Sequence, residues 1–223
     1  MSNLKNFSSD NICKVSPHIV QNLNLYDGLS DINISHYIGD FFHKLFGVYF
    51  HVNYINSVTA GNIMALKNNN ISKIICSKNS HIYKYEKREF DNLYPLKYEL
   101  LDEINGKINI DELAYLAHKI NLSSHVLVIT IPTEYGIIYS DEEILHLLEV
   151  AINSNIKIHI DGARFFYYTK SISEAYKKLF DYAESITISF TKFGTLFGEV
   201  LLLKENDNIK SIQLECLSIG IEN

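Results

Sequence analysis

Ile156-Lys157-Ile158-His159-Ile160-Asp161-Gly162-Ala163-Arg164 is a β-rich apolar run that stops on an acid, a glycine and an arginine. Ahead of it, Ser140-x-x-Glu143 has the capping-box pattern and opens a helix reaching Asn153. About 30 residues beyond Asp161, after a second apolar strand from Ile186 to Ser189, comes Phe190-Thr191-Lys192-Phe193-Gly194. That separation is the length of one strand–helix–strand unit. It puts a carboxylate and an amine at the same end of neighbouring parallel strands. In a parallel sheet with helices on both faces, ligands bind beyond the carboxyl ends of the strands.

The same alternation runs outward in both directions. Strands are predicted at Lys73 to Ser77, Val126 to Ile131 and Glu199 to Leu203. Asn109-x-x-Glu112 opens a helix from Ile110 to Ile120, and Ser171-x-x-Glu174 opens another. A helix begins near Thr59 and stops at Asn68-Asn69-Asn70. From Ser35 to Phe46 the spacing puts Tyr37, Ile38, Phe41, Phe42 and Leu45 on one helical face, and Val48 to Val52 is β-rich. Strands alternating with helices give an α/β fold, a mostly parallel sheet flanked by helices.

Composition narrows the function. With 223 residues, 47% of them hydrophobic, the chain can bury a sizeable core in one domain or in one domain plus a fragment. No apolar stretch is long enough to span a bilayer and the first residues lack a signal-peptide core, so a cytoplasmic protein is expected. A net charge of −6 without a basic stripe argues against nucleic acid and for small-molecule ligands. Cys13, Cys76 and Cys216 are scattered, which favours neither a disulfide framework nor a zinc knuckle. All but two of the 20 lysines and arginines are lysines; the exceptions are Arg88 and Arg164. Where lysine serves for ordinary positive charge, an arginine directly after a strand-end Asp-Gly points to a need for the planar guanidinium fork.

Taken in order, Thr133-Glu134-x-Gly136, Tyr139, His159-Ile160-Asp161-Gly162-Ala163-Arg164-Phe165, Thr191-Lys192 and Gly198-Glu199 resemble the low-specificity threonine aldolases. These are pyridoxal-phosphate enzymes of the β-eliminating lyase group, with the aspartate-aminotransferase-like fold. The resemblance runs from Ser9-Asp10-Asn11 to about Lys204. It implies a pyridoxal 5'-phosphate-binding large domain over residues 1–204 and a divergent tail over 205–223, with the family's C-terminal small domain absent. The implied reaction is cleavage of a β-hydroxy-α-amino acid such as threonine or allo-threonine to glycine and an aldehyde. The alternative is a truncated remnant or fragment that binds cofactor weakly and turns over little. A homo-oligomer is implied as well.

By that resemblance Lys192 carries the cofactor as an imine, Asp161 pairs with its pyridine nitrogen, and His81 stacks on its ring and is the candidate base. Arg164 meets the ring hydroxyl oxygen or the substrate carboxylate, and Ser9 belongs to the substrate side. The helix start at Val58 and Thr59 takes the phosphate, where free backbone N–H groups favour an anion. Glu86 keeps an acid of the pattern. Val58 stands where the family has glycine, and of the family's Tyr-Gly-Asp-Asp segment only Asp31 survives in Leu29-Ser30-Asp31-Ile32. A metal site is the rival for His159 and Asp161, which share a strand face at i and i+2, but no third ligand is evident and no metal is expected.

Overall fold

The computed structural model describes residues 17, 31–68, 71, 73–167, 172–195 and 198–205. Seven strands form one sheet in the order β1 (His51–Ile55), β9 (Glu199–Leu203), β8 (Ser185–Ser189), β7 (Lys157–Gly162), β6 (His125–Thr130), β2 (Lys73–Ser77), β3 (Lys97–Leu101). The β8–β7–β6–β2–β3 ladder is parallel, and β9 runs antiparallel to both β8 and β1. A two-stranded hairpin, β4 (Glu103–Ile104) with β5 (Lys107–Ile108), lies apart from this sheet. The mostly parallel α/β architecture is therefore present.

Strand alternation explains the layering, because successive side chains point to opposite faces. One face carries Leu127, Ile129, Ile158, Ile160, Ile186, Ile188, Val200 and Leu202, all buried in the main apolar cluster. Against it pack α1 (Asp31–Phe46), α5 (Ile110–Lys119), α6 (Asp141–Asn153) and α7 (Glu174–Tyr182), through residues such as Phe46, Leu113, Leu147 and Phe180. The other face is covered by α2 (Val58–Asn68) and, beyond β2, by α3 (His81–Lys84) and α4 (Lys87–Leu93). There the apolar residues fall into two separate clusters, one around Ile63, Cys76 and Val126 and one around Met64 and Leu201. Of the alternate residues of β7 and β8 on this face, Lys157 is half-buried and His159, Asp161, Ser185, Thr187 and Ser189 are buried.

Local chemistry fixes the helix ends. Ser140 accepts from the Glu143 N–H while Glu143 accepts from the Ser140 N–H, the complete capping box predicted for α6. Asn109 accepts from the Glu112 N–H at the start of α5, but the Glu112 carboxylate turns instead to the Asp102 N–H. The cap of α7 is Ser173 rather than Ser171, because it is the Ser173 hydroxyl that meets the Tyr176 N–H. The first strand begins at His51, three residues later than the β-rich stretch suggested, and α2 begins at Val58. Among the described side chains of α1 only Phe42 and Phe46 are fully buried; Tyr37 and Phe41 are exposed instead of joining the predicted stripe. Cys76 is buried, and burial pushes its thiol up to about 11, so it behaves as an unreactive apolar side chain. Among the described residues no helix is long and apolar enough to cross a membrane.

Candidate active site

The segments carrying His81, Glu134, Asp161 to Arg164, Lys192 and Glu199 reach the carboxyl edge of the parallel strands. β2 ends at Ser77 and leads to His81; β6 ends at Thr130 and leads to Glu134. β7 ends in Asp161-Gly162 and β8 at Ser189, just before the turn that carries Lys192. Because β9 is antiparallel, its first residue, Glu199, arrives at this same edge opposite Ser189.

Asp161 is only 2% exposed, and its Oδ1 accepts the Ala163 N–H at 3.1 Å, an Asp-turn that starts the descent toward Arg164. Gly162 is required here: a Cβ would come 2.8 Å from the Thr187 carbonyl oxygen on β8. Glu86, also 2% exposed, accepts from the Thr59 hydroxyl at 2.7 Å and from the Asn62 amide at 2.9 Å. Burial pushes the Glu86 carboxyl up, and the negative charge of Asp161 pushes it further, against the opposing pull of those two hydrogen bonds and His81. Two buried acids so close leave a strong local demand for positive charge.

His81 stands between carboxylates. Its Nε2 lies 4.0 Å from Glu86 Oε1 and its Nδ1 lies 3.9 Å from Glu134 Oε1. Glu134 Oε2 accepts from Arg164 Nη1 at 3.2 Å. His81, Glu134 and Arg164, drawn from three different strand ends, thus form one connected rim beside Asp161 and Glu86.

Beneath this rim lies a buried polar chain. Asn62 Oδ1 accepts from the Thr187 hydroxyl at 2.8 Å and meets His159 Nε2 at 3.0 Å, while His159 Nδ1 meets the Ser185 hydroxyl at 2.7 Å. Since the Asn62 amide nitrogen donates to Glu86, its oxygen is the acceptor, so neutral His159 carries its proton on Nε2 and accepts from Ser185 at Nδ1. Burial lowers the His159 pKa to about 4, with Asp161 pulling weakly the other way. With both ring nitrogens engaged, His159 has none to offer a metal. α2 reaches this deep because residue 61 is glycine: a Cβ there would sit 2.3 Å from Ile55 Cδ1 and 2.8 Å from Thr187 Cγ2.

Lys192 sits in a 3-10 turn, Thr191–Phe193, closed by Gly194 at φ 88°. The Lys192 N–H donates to the Ser189 hydroxyl at 3.3 Å, and the Tyr167 hydroxyl donates to the Lys192 carbonyl at 2.6 Å. Glu199 Oε1 accepts from the hydroxyls of Ser189, at 2.9 Å, and Thr191. Burial raises the Glu199 pKa; Thr191, Ser189 and the Lys192 charge oppose the rise.

At the start of α2, Ser57 Oγ accepts the Ala60 N–H at 3.1 Å, and the first turn contains no acid. The Thr59 hydroxyl, expected at an anion, instead donates to Glu86. Of the remaining expected residues, Ser9 and the 205–223 tail beyond Glu205 lie outside the described residues, as do Leu29 and Ser30. The roles of Glu134, Asn62 and the Ser185–His159 pair were not assigned from sequence. The one signal available was the alternation in Ser185-Ile186-Thr187-Ile188-Ser189, which puts polar residues on the face shared by His159 and Asp161.

A profile of the family described as Beta-eliminating lyase matches residues 35–213. The chain belongs to the β-eliminating lyase family. Solved structures similar to this β-eliminating lyase family member include the Leishmania major threonine aldolase, at 16% identity and TM-score 0.76, covering 93% of this chain and 66% of that one. Cystalysin from Treponema denticola, which contains pyridoxal 5'-phosphate, is similar at 12% identity and TM-score 0.69, covering 93% of this chain and 58% of that one. The pyridoxal-phosphate-bound C-S lyase from Staphylococcus hominis follows at 16% identity and TM-score 0.64, covering 92% and 56%. The chain thus spans less than two thirds of the length of these structures. No curated protein matches the chain in sequence.

Proposed function

We propose that residues 1–204 are the cofactor-binding large domain of a pyridoxal-phosphate-dependent lyase of the threonine aldolase type, acting on β-hydroxy-α-amino acids. The observation that carries this reading is buried Asp161 at the end of β7 with Glu86 beside it, His81 4.0 Å from Glu86, and the acid-free start of α2 joined to Glu86 through the Thr59 hydroxyl. Such a site suits a ligand that is cationic at one end and anionic at the other. Pyridoxal phosphate has both, a ring nitrogen that takes a proton and a phosphate.

Bound there, the cofactor would supply an electron sink for cleavage of a bond at the substrate α-carbon. The chain's own groups divide the remaining work. Asp161 holds a proton on the ring nitrogen, and its burial makes that charge pairing strong. Lys192 supplies the amine that anchors the cofactor covalently. The α2 N-terminus, from Val58 and Thr59, offers backbone N–H groups to the phosphate. Arg164, oriented by Glu134, presents its fork to the substrate carboxylate. His81, whose two nitrogens face Glu86 and Glu134, takes the β-hydroxyl proton. A homo-oligomeric, cytoplasmic enzyme with an amino acid as its small-molecule partner completes the reading.

The test is an absorption spectrum of purified protein with added pyridoxal phosphate, followed by borohydride reduction and peptide mapping. A visible band that reduction fixes on Lys192 is expected. Label on another lysine, or no band, overturns the assignment; retro-aldol assays on threonine and allo-threonine then decide the reaction type.

A further inference from the structure

Glu199 is 8% exposed and has one oxygen committed and one open. Oε1 is taken up by the Ser189 and Thr191 hydroxyls, whereas Oε2 is buried with no hydrogen-bond partner among the described residues. A buried carboxylate oxygen left without a donor is costly, so its retention calls for an explanation. The backbone supplies one. Glu199 pairs with Ser189 across the antiparallel β8–β9 ladder, and the Phe190 N–H donates to the Gly198 carbonyl at 2.8 Å. The turn bearing Lys192 is therefore clamped directly against Glu199, and the Lys192 charge is felt there. Also reaching this turn are the Ser189 hydroxyl of β8 and the Tyr167 hydroxyl from the 3-10 turn that follows β7. Asp161, with Glu86 beside it, stands two strands away at the same edge.

We infer that Glu199 is the positioning and proton-exchanging partner of Lys192. Through Oε1 it fixes the Ser189–Thr191 turn. Through Oε2 it receives a proton from the Lys192 nitrogen as that nitrogen becomes a nucleophile, and returns it when the nitrogen is displaced. One N–H bond breaks as one O–H bond forms; a positive and a negative group become two neutral ones, so no co-reactant is needed. Burial, which favours the uncharged carboxyl, suits the accepting direction. The inference rests on the proposed role of Lys192 as the carbonyl-capturing amine.

The experiment measures how fast Lys192 captures an aldehyde, trapped by borohydride and quantified by peptide mapping against the other lysines, across a pH series. Two probes are used, pyridoxal phosphate and pyridine-4-carboxaldehyde, which has no phosphate. Wild type should show an inflection above the usual carboxylate range for both. E199Q, which keeps the Oε1 hydrogen bonds, should slow capture roughly tenfold at neutral pH and lose that inflection, the size expected of one charge partner. E199D should restore the inflection in part. Unchanged rate and profile in a folded E199Q overturn the inference. If circular dichroism shows E199Q unfolded, carbon-13 NMR of wild type decides: the Glu199 carboxyl resonance must move when Lys192 is capped by reductive alkylation, and a resonance indifferent to capping overturns it. Glu199-dependent capture of the simple aldehyde alone, with pyridoxal phosphate ignored, would sink the cofactor reading and leave this one standing.

Discussion

Glu134 holds Arg164 by one carboxylate oxygen, at 3.2 Å, and faces His81 with the other, at 3.9 Å. One acid from the β6 loop thus sets the direction of a guanidinium from β7 and an imidazole from β2. The Arg164–Glu134 pair is partly exposed, so it adds little to folding; its value is orientation. Arg164→Lys should cost no more than about 1 kcal/mol in chemical denaturation. It should nevertheless weaken amino-acid binding to the cofactor-loaded protein about tenfold or more, because an ammonium cannot match a carboxylate with two parallel hydrogen bonds. Calorimetric titration checks this, and unchanged affinity would remove Arg164 from the substrate side.

His159 makes the cofactor-free protein acid-sensitive. Its folded pKa is lowered from 6.5 to about 4, so its contribution is fully present above 6.5 and is lost as pH falls through about 4. The loss is up to about 3 kcal/mol, at about 1.4 kcal/mol per pKa unit. His159→Gln removes this titration, so its stability should fall less steeply over that window in urea melts. Parallel curves for the two proteins would show that His159 is not the group responsible.

Glu86 acts with the opposite sign. Its folded pKa is raised, so its contribution is fully present below the usual carboxylate range and is lost as pH rises through the raised folded value. Without a cationic ligand, wild type should therefore lose stability as pH climbs out of that range. Glu86→Gln should flatten the slope, and so should saturating pyridoxal phosphate, whose ring-nitrogen charge would sit beside the acids. A slope that neither change alters would contradict the buried-pair account.

Two glycines should differ in cost. At Gly162 an added methyl meets a backbone oxygen at 2.8 Å, which cannot move without disturbing β8. At Gly61 it meets the tip of Ile55, at 2.3 Å, which can rotate away, and Thr187 Cγ2 at 2.8 Å. Gly162→Ala is expected to destabilise by about 2 kcal/mol or more. Gly61→Ala should cost about 1 kcal/mol, since higher helix propensity offsets part of the crowding. Denaturation midpoints giving the reverse order would refute this packing argument.

The strands and caps that were legible share a strong local signal. Ser140 with Glu143 reads directly as a helix start, and the isoleucine alternation of β7 and β8 as strands. Edge strand β3 was not legible, because Lys97-Tyr98-Glu99 lacks an apolar run and is half exposed. The short helices α3 and α4 hold too few residues to display a 3.6-residue period. For the candidate site, Lys192, Asp161, Arg164 and His81 could be proposed from motif order. Their cross-links could not, since His81 meets Glu134 only because β2 and β6, far apart in sequence, are neighbours in the sheet. The sequence pointed to Ser171 because Glu174 completes a capping-box pattern three residues later. The cap is Ser173, whose hydroxyl accepts the Tyr176 N–H and donates to Asp141 on the neighbouring helix α6.

Strand β9 returns against its neighbours, and that direction separates the length of the connection from the geometry it joins. Lys192 is tied back to Ser189, the last residue of β8, and Glu199 is paired with Ser189 as the chain enters β9. Both ends of the excursion are thus anchored to one residue. A substitution that shifts Ser189 would accordingly move the lysine turn and Glu199 together.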